Sequence, residues 1–328
     1  MPLNQSANLV PNLFDAATIK QAGTRDGYGQ GLVELGKQDP RVVVLCADLT
    51  ESTRSNLFQK AFPDRFIEIG VAEQNLITVG AGLAAAGKIP YMASYAAFAP
   101  GRCWEQIRTT FGYNDLHGVV AGAHAGVSVG PDGATHQAVE DIATMRTIAG
   151  CTVLAPCDAV RAQQATMATI TVGHLCYIRF GRDKYPVFTT PTTPFQIGKA
   201  EVFYEGSDVT VVACGPLVYQ ALLAAKQLEG TISVEVIDST TIKPLDEATI
   251  VTSAKKTGAV VTAEEASIIG GLGGAVAETL SRQYPVPMEY IGLHDIYGES
   301  GQADELLGKF QMKAVDIVAA IKRLLQRQ

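Results

Sequence analysis

Residues 151–169, CTVLAPCDAVRAQQATMAT, decide the fold. CTVLAP is a short, apolar, partly β-branched run that reads as a buried strand, and Ala159–Thr169 reads as the helix that follows it. The same handover recurs upstream. RVVVLCA (41–47), PYMASY (90–95) and GVVAGA (118–123) read as further buried strands, with helices expected at Asp26–Gln38, Ala72–Ala86, Gly101–Phe111 and Gln137–Ile148. Strand–helix alternation of this kind predicts a parallel sheet covered on both faces.

The alternation stops at 183–197, DKYPVFTTPTTPFQI, where three prolines and four threonines leave no period and the chain reads as a linker. It then resumes. Strands are expected at VTVVACG (209–215), SVEVID (233–238), GAVVTAE (258–264) and MEYIGL (288–293), and helices at Tyr219–Leu228, Gly274–Gln283 and Ala314–Leu325. The expected fold class is α/β in two domains, 1–182 and 198–328, each a mostly parallel sheet with helices on both faces. Met1–Leu13 is polar, carries Pro2 and Pro11, and reads as a loose arm.

Composition narrows the function. With 26 Lys and Arg against 33 Asp and Glu the net charge is −7. There is no basic run, so nucleic acid is a poor partner. No apolar stretch reaches the length of a membrane span. The six cysteines include no C-x-x-C pair and mostly sit in apolar runs, which predicts buried free thiols in a reducing cytoplasm.

Two glycine-rich stretches imitate nucleotide loops. Gly82-Leu-Ala-Ala-Ala-Gly87-Lys88 lacks the Ser or Thr of a P-loop and lies at a helix end. IIGGLGGAV (268–276) lacks the third glycine of a dinucleotide fingerprint.

Chemistry gathers elsewhere. Glu73 stands in FIEIGVAEQNL at a strand-to-helix handover, where the helix dipole alone would favour a carboxylate. YMASYAAFAPGRCWEQIR puts Tyr95 and Phe98 after a strand, and AHAGVSVGPDGATHQ places His124, Asp132 and His136 in one glycine-rich loop. Loops that follow parallel strands converge on one edge of the sheet. His117 and His174 lie outside this group and read as structural.

With these stretches in hand, the chain resembles the C-terminal half of transketolases. GTRDGYGQGL, CADLTES, RFIEIGVAEQN, FAPGRCWEQIR, HAGVSVGPDGATHQ and RFGRDKYP occur in the family's order over nearly the whole chain. The likeness is strongest to the split form, in which two genes share one enzyme. It implies thiamine diphosphate as cofactor. In the family a Glu hydrogen-bonds the aminopyrimidine ring and favours its imino tautomer, whose exocyclic nitrogen takes the thiazolium proton. Glu73 matches that Glu, a general acid–base role. Phe98 and Tyr95 match aromatics that stack on the pyrimidine. His136 matches a group near the reacting carbonyl, and Asp132 a carboxylate that reads an aldose hydroxyl. His124, Arg25, Ser52 and Arg182 match phosphate ligands. Asp48 matches a cofactor-side position at the subunit contact.

Departures carry information too. Pro131 stands where many relatives have an acid, and the loop at Pro100–Gly101 lacks one family aromatic. The Gly-Asp-Gly element that holds the Mg²⁺ and diphosphate in the family is absent from the sequence. The resemblance therefore implies an N-terminal partner subunit that holds Mg²⁺, a heterotetramer with two copies of each chain, and sugar-phosphate substrates, with pentose-phosphate intermediates the default. Two other readings remain open: the β subunit of a 2-oxo-acid dehydrogenase decarboxylase component, of similar length and domain order, and a non-catalytic assembly subunit.

Overall fold

The computed structural model describes residues 3–327. Its strands are β1 (Gln21–Gly23), β2 (Val42–Cys46), β3 (Phe66–Glu68), β4 (Ile89–Tyr95), β5 (Gly118–Ala123), β6 (Thr152–Leu154), β7 (Leu175–Phe180), β8 (Lys184–Pro186), β9 (Glu201–Tyr204), β10 (Val209–Ala213), β11 (Val234–Asp238), β12 (Thr241–Lys243), β13 (Val260–Ser267) and β14 (Met288–Leu293). They form a seven-stranded sheet in the order β12-β6-β7-β5-β4-β2-β3, a five-stranded sheet in the order β14-β13-β10-β11-β9, and the small ribbon β1-β8. Every pairing in the two large sheets is parallel except β12 with β6 and β9 with β11. The expected class, α/β with two mostly parallel sheets and their helices, is the class observed.

The central strands are apolar because both faces are covered. All five residues of β2 and all six of β5 and β7 are buried. β7 escaped the sequence reading. Its run LCYIRF contains Arg179, a residue seldom found inside a strand core. Two expected helices are shorter than predicted. The one expected over Gly101–Phe111 is Trp104–Gln106 running into a π-helical turn at Ile107–Gly112, and the one expected over Gln137–Ile148 is Asp141–Arg146. The helices Glu247–Thr257 and Ala303–Lys309 were not anticipated.

The arm is not loose. Met1 and Pro2 lie outside the described residues, but Leu13 and Ala7 are buried in the core of the second sheet. Asn4 donates to Phe203 and Val202 carbonyls, and Val10 N–H donates to Phe188 O. The 183–197 stretch is equally pinned. It contributes β8, and its Phe188 and Thr189 amides donate to the buried Asp158 carboxylate at 2.8 and 2.7 Å.

The two sheets share more than that segment. β12 follows β11 in the chain yet pairs with β6 at the edge of the first sheet, Thr241 opposite Leu154. Lys243 Nζ donates to the Arg146 and Ile148 carbonyls, and Arg146 reaches the Gly270 and Gly271 carbonyls in return. One apolar cluster runs from Leu45 and Met92 of the first sheet to Ile237 and Val260 of the second.

The imitation nucleotide loops resolve as expected. Gly87 (φ +86°) follows the last turn of the helix Glu73–Ala85. At 268–276 the Glu264 carboxylate accepts from the Leu272 and Gly273 amides, both at 2.8 Å, so the helix N-terminus that could hold a phosphate already holds an acid.

Candidate active site

The carboxyl edge of the first sheet gathers most of the expected residues. Asp48 and Ser52 follow β2, Glu73 follows β3, Tyr95 and Phe98 end and follow β4, His124, Asp132 and His136 follow β5, and Arg182 follows β7. Strand order reverses around β2, with β3 on one side and β4 on the other. Open α/β sheets bind ligands at such reversals.

Glu73 is the first residue of its helix and 1% exposed. Ser94 Oγ donates to Oε1 at 2.9 Å. Oε2 is buried without a hydrogen-bond partner, with Arg102 Nη1 at 3.4 Å as its nearest charge. The helix dipole explains an ionised carboxylate here but not an unsatisfied oxygen. That oxygen fits a donor such as the aminopyrimidine of thiamine diphosphate. Beside Glu73 lies an open cleft of about 460 Å³ lined also by Val71, Asn75, Arg102 and Gln106.

Aromatic contacts lead from this cleft to the glycine-rich loop. Arg102 lies over the Phe98 ring at 4.5 Å. Phe98 meets His136 edge-on at 5.3 Å, and Tyr95 stacks on His124 at 4.1 Å. His136 Nδ1 is 2.9 Å from Thr135 Oγ1. His124 is 2% exposed in a left-handed conformation (φ +57°), and its Nδ1 is buried without a partner. Burial, then the charges of Arg25 and Arg182, push its imidazole down to about 3, so it is neutral at physiological pH.

Beyond His124 a second cleft of about 310 Å³ is lined by Arg25, Ser128, Arg182, Lys184 and Gln302. Burial and the neighbouring Arg54 lower the Arg25 pKa, as expected where cations crowd. Arg182 Nη1 donates to Val129 O at 2.9 Å and lies 3.4 Å from Asp132 Oδ1. Ser52 joins through its backbone, its carbonyl accepting from Arg25 Nη1 at 3.1 Å. Asp48 is not in the wall of this cleft. It is exposed at φ +57°, and its amide donates to Glu68 Oε1 at 2.7 Å.

The sequence reading did not single out Ser94, Arg102, Ser128 or Lys184. All four sit inside the quoted motifs, but nothing local marks them. A larger cleft, about 610 Å³, is elsewhere, at the β6–β12 edge with Cys151, His174 and Lys243 in its wall. It contains none of the expected residues and no carboxylate. His174 there bonds Thr152, and His117 bonds the Thr169 carbonyl, both structural. All six cysteines are buried and unbridged. Among the described residues no group of three or more His, Cys, Asp or Glu could hold a metal ion, and no helix is long and apolar enough to cross a membrane.

Comparison with known proteins identifies the family. Residues 20–187 match the family described as transketolase, pyrimidine binding domain, and residues 198–317 match transketolase, C-terminal domain. A putative transketolase C-terminal section of Methanocaldococcus jannaschii is 42% identical over 93% of this chain and 97% of its own length. A 6-deoxy-6-sulfo-D-fructose transketolase subunit of Clostridium sp. (strain MSTE9) is 41% identical over 94% of this chain and 97% of its own length. Among solved structures, a split gene transketolase described as an inactive beta4 tetramer superposes with a TM-score of 0.87 at 46% identity, covering 93% of this chain and 98% of that one. The transketolase of Campylobacter jejuni, at 21% identity and a TM-score of 0.80 over 95% of this chain and 50% of its own, shares the fold. The chain thus belongs to the transketolase family, whose members use thiamine diphosphate, and carries that family's pyrimidine-binding and C-terminal domains in the manner of split-gene C-terminal sections.

Proposed function

We propose that this chain is the C-terminal subunit of a transketolase that moves a two-carbon ketol unit between sugar phosphates and works only with an N-terminal partner subunit. One observation carries the reading: Glu73 Oε2 is buried without a hydrogen-bond partner beside a cleft that Glu73 helps to line. A buried acceptor left unsatisfied costs about 1–3 kcal/mol, which a bound aminopyrimidine would recover.

When bound, thiamine diphosphate supplies the acidic thiazolium carbon that carries the two-carbon unit. The chain's own residues hold and orient. Ser94 fixes the rotation of the Glu73 carboxyl, leaving Oε2 to share a proton with the pyrimidine ring nitrogen. Phe98 and Tyr95 offer apolar faces to that ring. His136, edge-on to Phe98 with Nδ1 held by Thr135, is the acid–base group near the reacting carbonyl. Arg25, Arg182, neutral His124 and Ser52 take the phosphate end, and Asp132 reads a hydroxyl of the acceptor. Asp48 is assigned to the cofactor side of the subunit contact.

Mg²⁺ and the diphosphate are assigned to the partner. This accords with relatives named as a C-terminal section and a subunit. Two copies of each chain would form the assembly. Buried free thiols suit a cytoplasmic enzyme.

The test is to purify this chain and its partner separately and assay each, then the mixture, against a panel of phosphorylated ketoses with an aldose phosphate acceptor. Two-carbon transfer by the mixture alone is expected. Turnover by this chain alone would overturn partner dependence, and an assembled complex without two-carbon transfer would overturn the transketolase assignment.

A further inference from the structure

The loop that carries His124, Asp132 and His136 combines its own hydrogen bonds with contacts from outside. It is docked on the second sheet. Glu265, in β13 and 2% exposed, accepts a hydrogen bond from the Ser128 amide through Oε1 at 2.6 Å. Arg179 braces both sides, donating to Glu265 O, Ala138 O and the Asp141 carboxylate. Gln137 Nε2 bridges Val127 O at 3.0 Å and Glu299 O at 2.8 Å, and Ser267 N–H donates to Val139 O. Ser128 Oγ pairs with Tyr185 OH at 2.6 Å. At Gly126 (φ +87°) a side chain would be strained, and its Cβ would meet Glu265 Oε1 at 2.3 Å. The backbone there has been brought against the carboxyl group.

We propose that Glu265 is a positioning residue for the acceptor subsite, holding the 126–136 loop so that Asp132 and His136 meet the aldose while the second domain walls the phosphate cleft. This rests on the sugar-phosphate reading above. Gln302 and Ala303, from the segment that packs on the same loop, already line the cleft with Arg25 and Arg182. The loop's short helical turn, Val127–Asp132, is interrupted by a non-helical Gly130 and by Pro131, and the Glu265 carboxylate adds an external acceptor at the Ser128 amide to the loop's own hydrogen bonds. Glu265 touches neither the Glu73 cleft nor the aromatic pair, so its effect should fall on acceptor use and spare activation of the cofactor.

The experiment compares Glu265→Ala and Glu265→Gln with the wild type. Gln keeps an oxygen acceptor for the Ser128 amide and Ala does not. In the full chain, hydrogen–deuterium exchange of the 126–136 peptide should quicken about tenfold in the Ala variant and stay near wild type in Gln, with β2 exchange unchanged in both as a check on folding. In the complex with the partner, KM for an aldose phosphate acceptor such as ribose 5-phosphate should rise about tenfold in Ala, with rescue by Gln. Proton exchange at the cofactor's thiazolium carbon should not change. Unchanged loop exchange in the Ala variant would overturn the proposal, and so would an equal loss in thiazolium proton exchange and acceptor use. A wild-type complex that accepts no aldose phosphate would count against the transketolase reading and the assignment of this loop to an acceptor. Loop exchange would still report whether Glu265 holds the segment.

Discussion

Arg182 Nη1 lies 3.4 Å from Asp132 Oδ1. From the sequence these are two separate ligands, one for phosphate and one for a hydroxyl. In the fold they are neighbours, and Arg182 also donates to the loop at Val129 O.

Arg182→Met should raise KM for phosphorylated substrates about ten- to a hundredfold, the worth of one charge-assisted hydrogen bond. Hydroxypyruvate, which has no phosphate, should be nearly untouched. Asp132→Ala should narrow the gap between hydroxylated and deoxy acceptors. Because the pair is about a third exposed, a double-mutant cycle should show coupling of only about 0.2–1 kcal/mol. Parallel kinetics on both donor types checks this; equal losses on both donors would make Arg182 a structural tie.

Glu73→Ala should slow thiazolium proton exchange in the assembled complex by several kcal/mol of barrier, roughly a thousandfold or more. Ser94→Ala should cost about tenfold, since it removes only the hydrogen bond that orients Oε1. Exchange measured by NMR separates the two. Unchanged exchange in Glu73→Ala would leave the residue as a helix-end carboxylate.

His124 should make the protein less stable in mild acid. Its folded pKa, about 3, lies below the ordinary 6.5, so between these values the unfolded chain binds a proton that the native state refuses. The associated stability is complete above pH 6.5 and declines as pH falls toward 3. Urea unfolding at pH 7 and pH 5 should show the decline, and His124→Asn should flatten it by about one proton over that interval. An equally steep slope in the variant would assign the decline to other groups.

Arg161 and Asp238 test the junction between sheets. Arg161 is fully buried, its Nε is 3.3 Å from Asp238 Oδ2, and its Nη1 donates to Pro194 O at 2.7 Å. Burial raises Asp238 to about 6 even with this partner. Arg161→Met should therefore cost about 3–5 kcal/mol at pH 7, as expected for an orphaned buried charge. The deficit should be larger at about pH 8 than at about pH 6, because Arg161 lowers the Asp238 pKa and without it Asp238 takes up its proton at higher pH. Denaturation at the two pH values decides it.

The sequence by itself determined what is local or repeated. β2, β4 and β5 are short, largely apolar runs, and the helices Thr24–Gln38 and Glu73–Ala85 follow their expected spans closely, because burial on both faces writes its pattern directly into residue type. The motifs also gathered Glu73, Phe98, His124, Asp132 and His136, since each follows an expected strand whose end lies on one edge, and the family resemblance added Arg182. What only the tertiary structure decided involves partners far apart in the chain. Arg179 broke the apolar pattern of β7 because its ion-pair partner, Asp141, is 38 residues away. Glu265 reads as one polar residue in TAEEAS, and its purpose appears only when Ser128, 137 residues earlier, is brought against it. Thr241–Lys243 is too short to announce itself as a strand and exists because β6 offers it an open edge. Local patterning records how much of a residue is buried. It does not record which distant group satisfies a charge or an amide once it is buried, and in this protein those distant pairings shape the 126–136 loop.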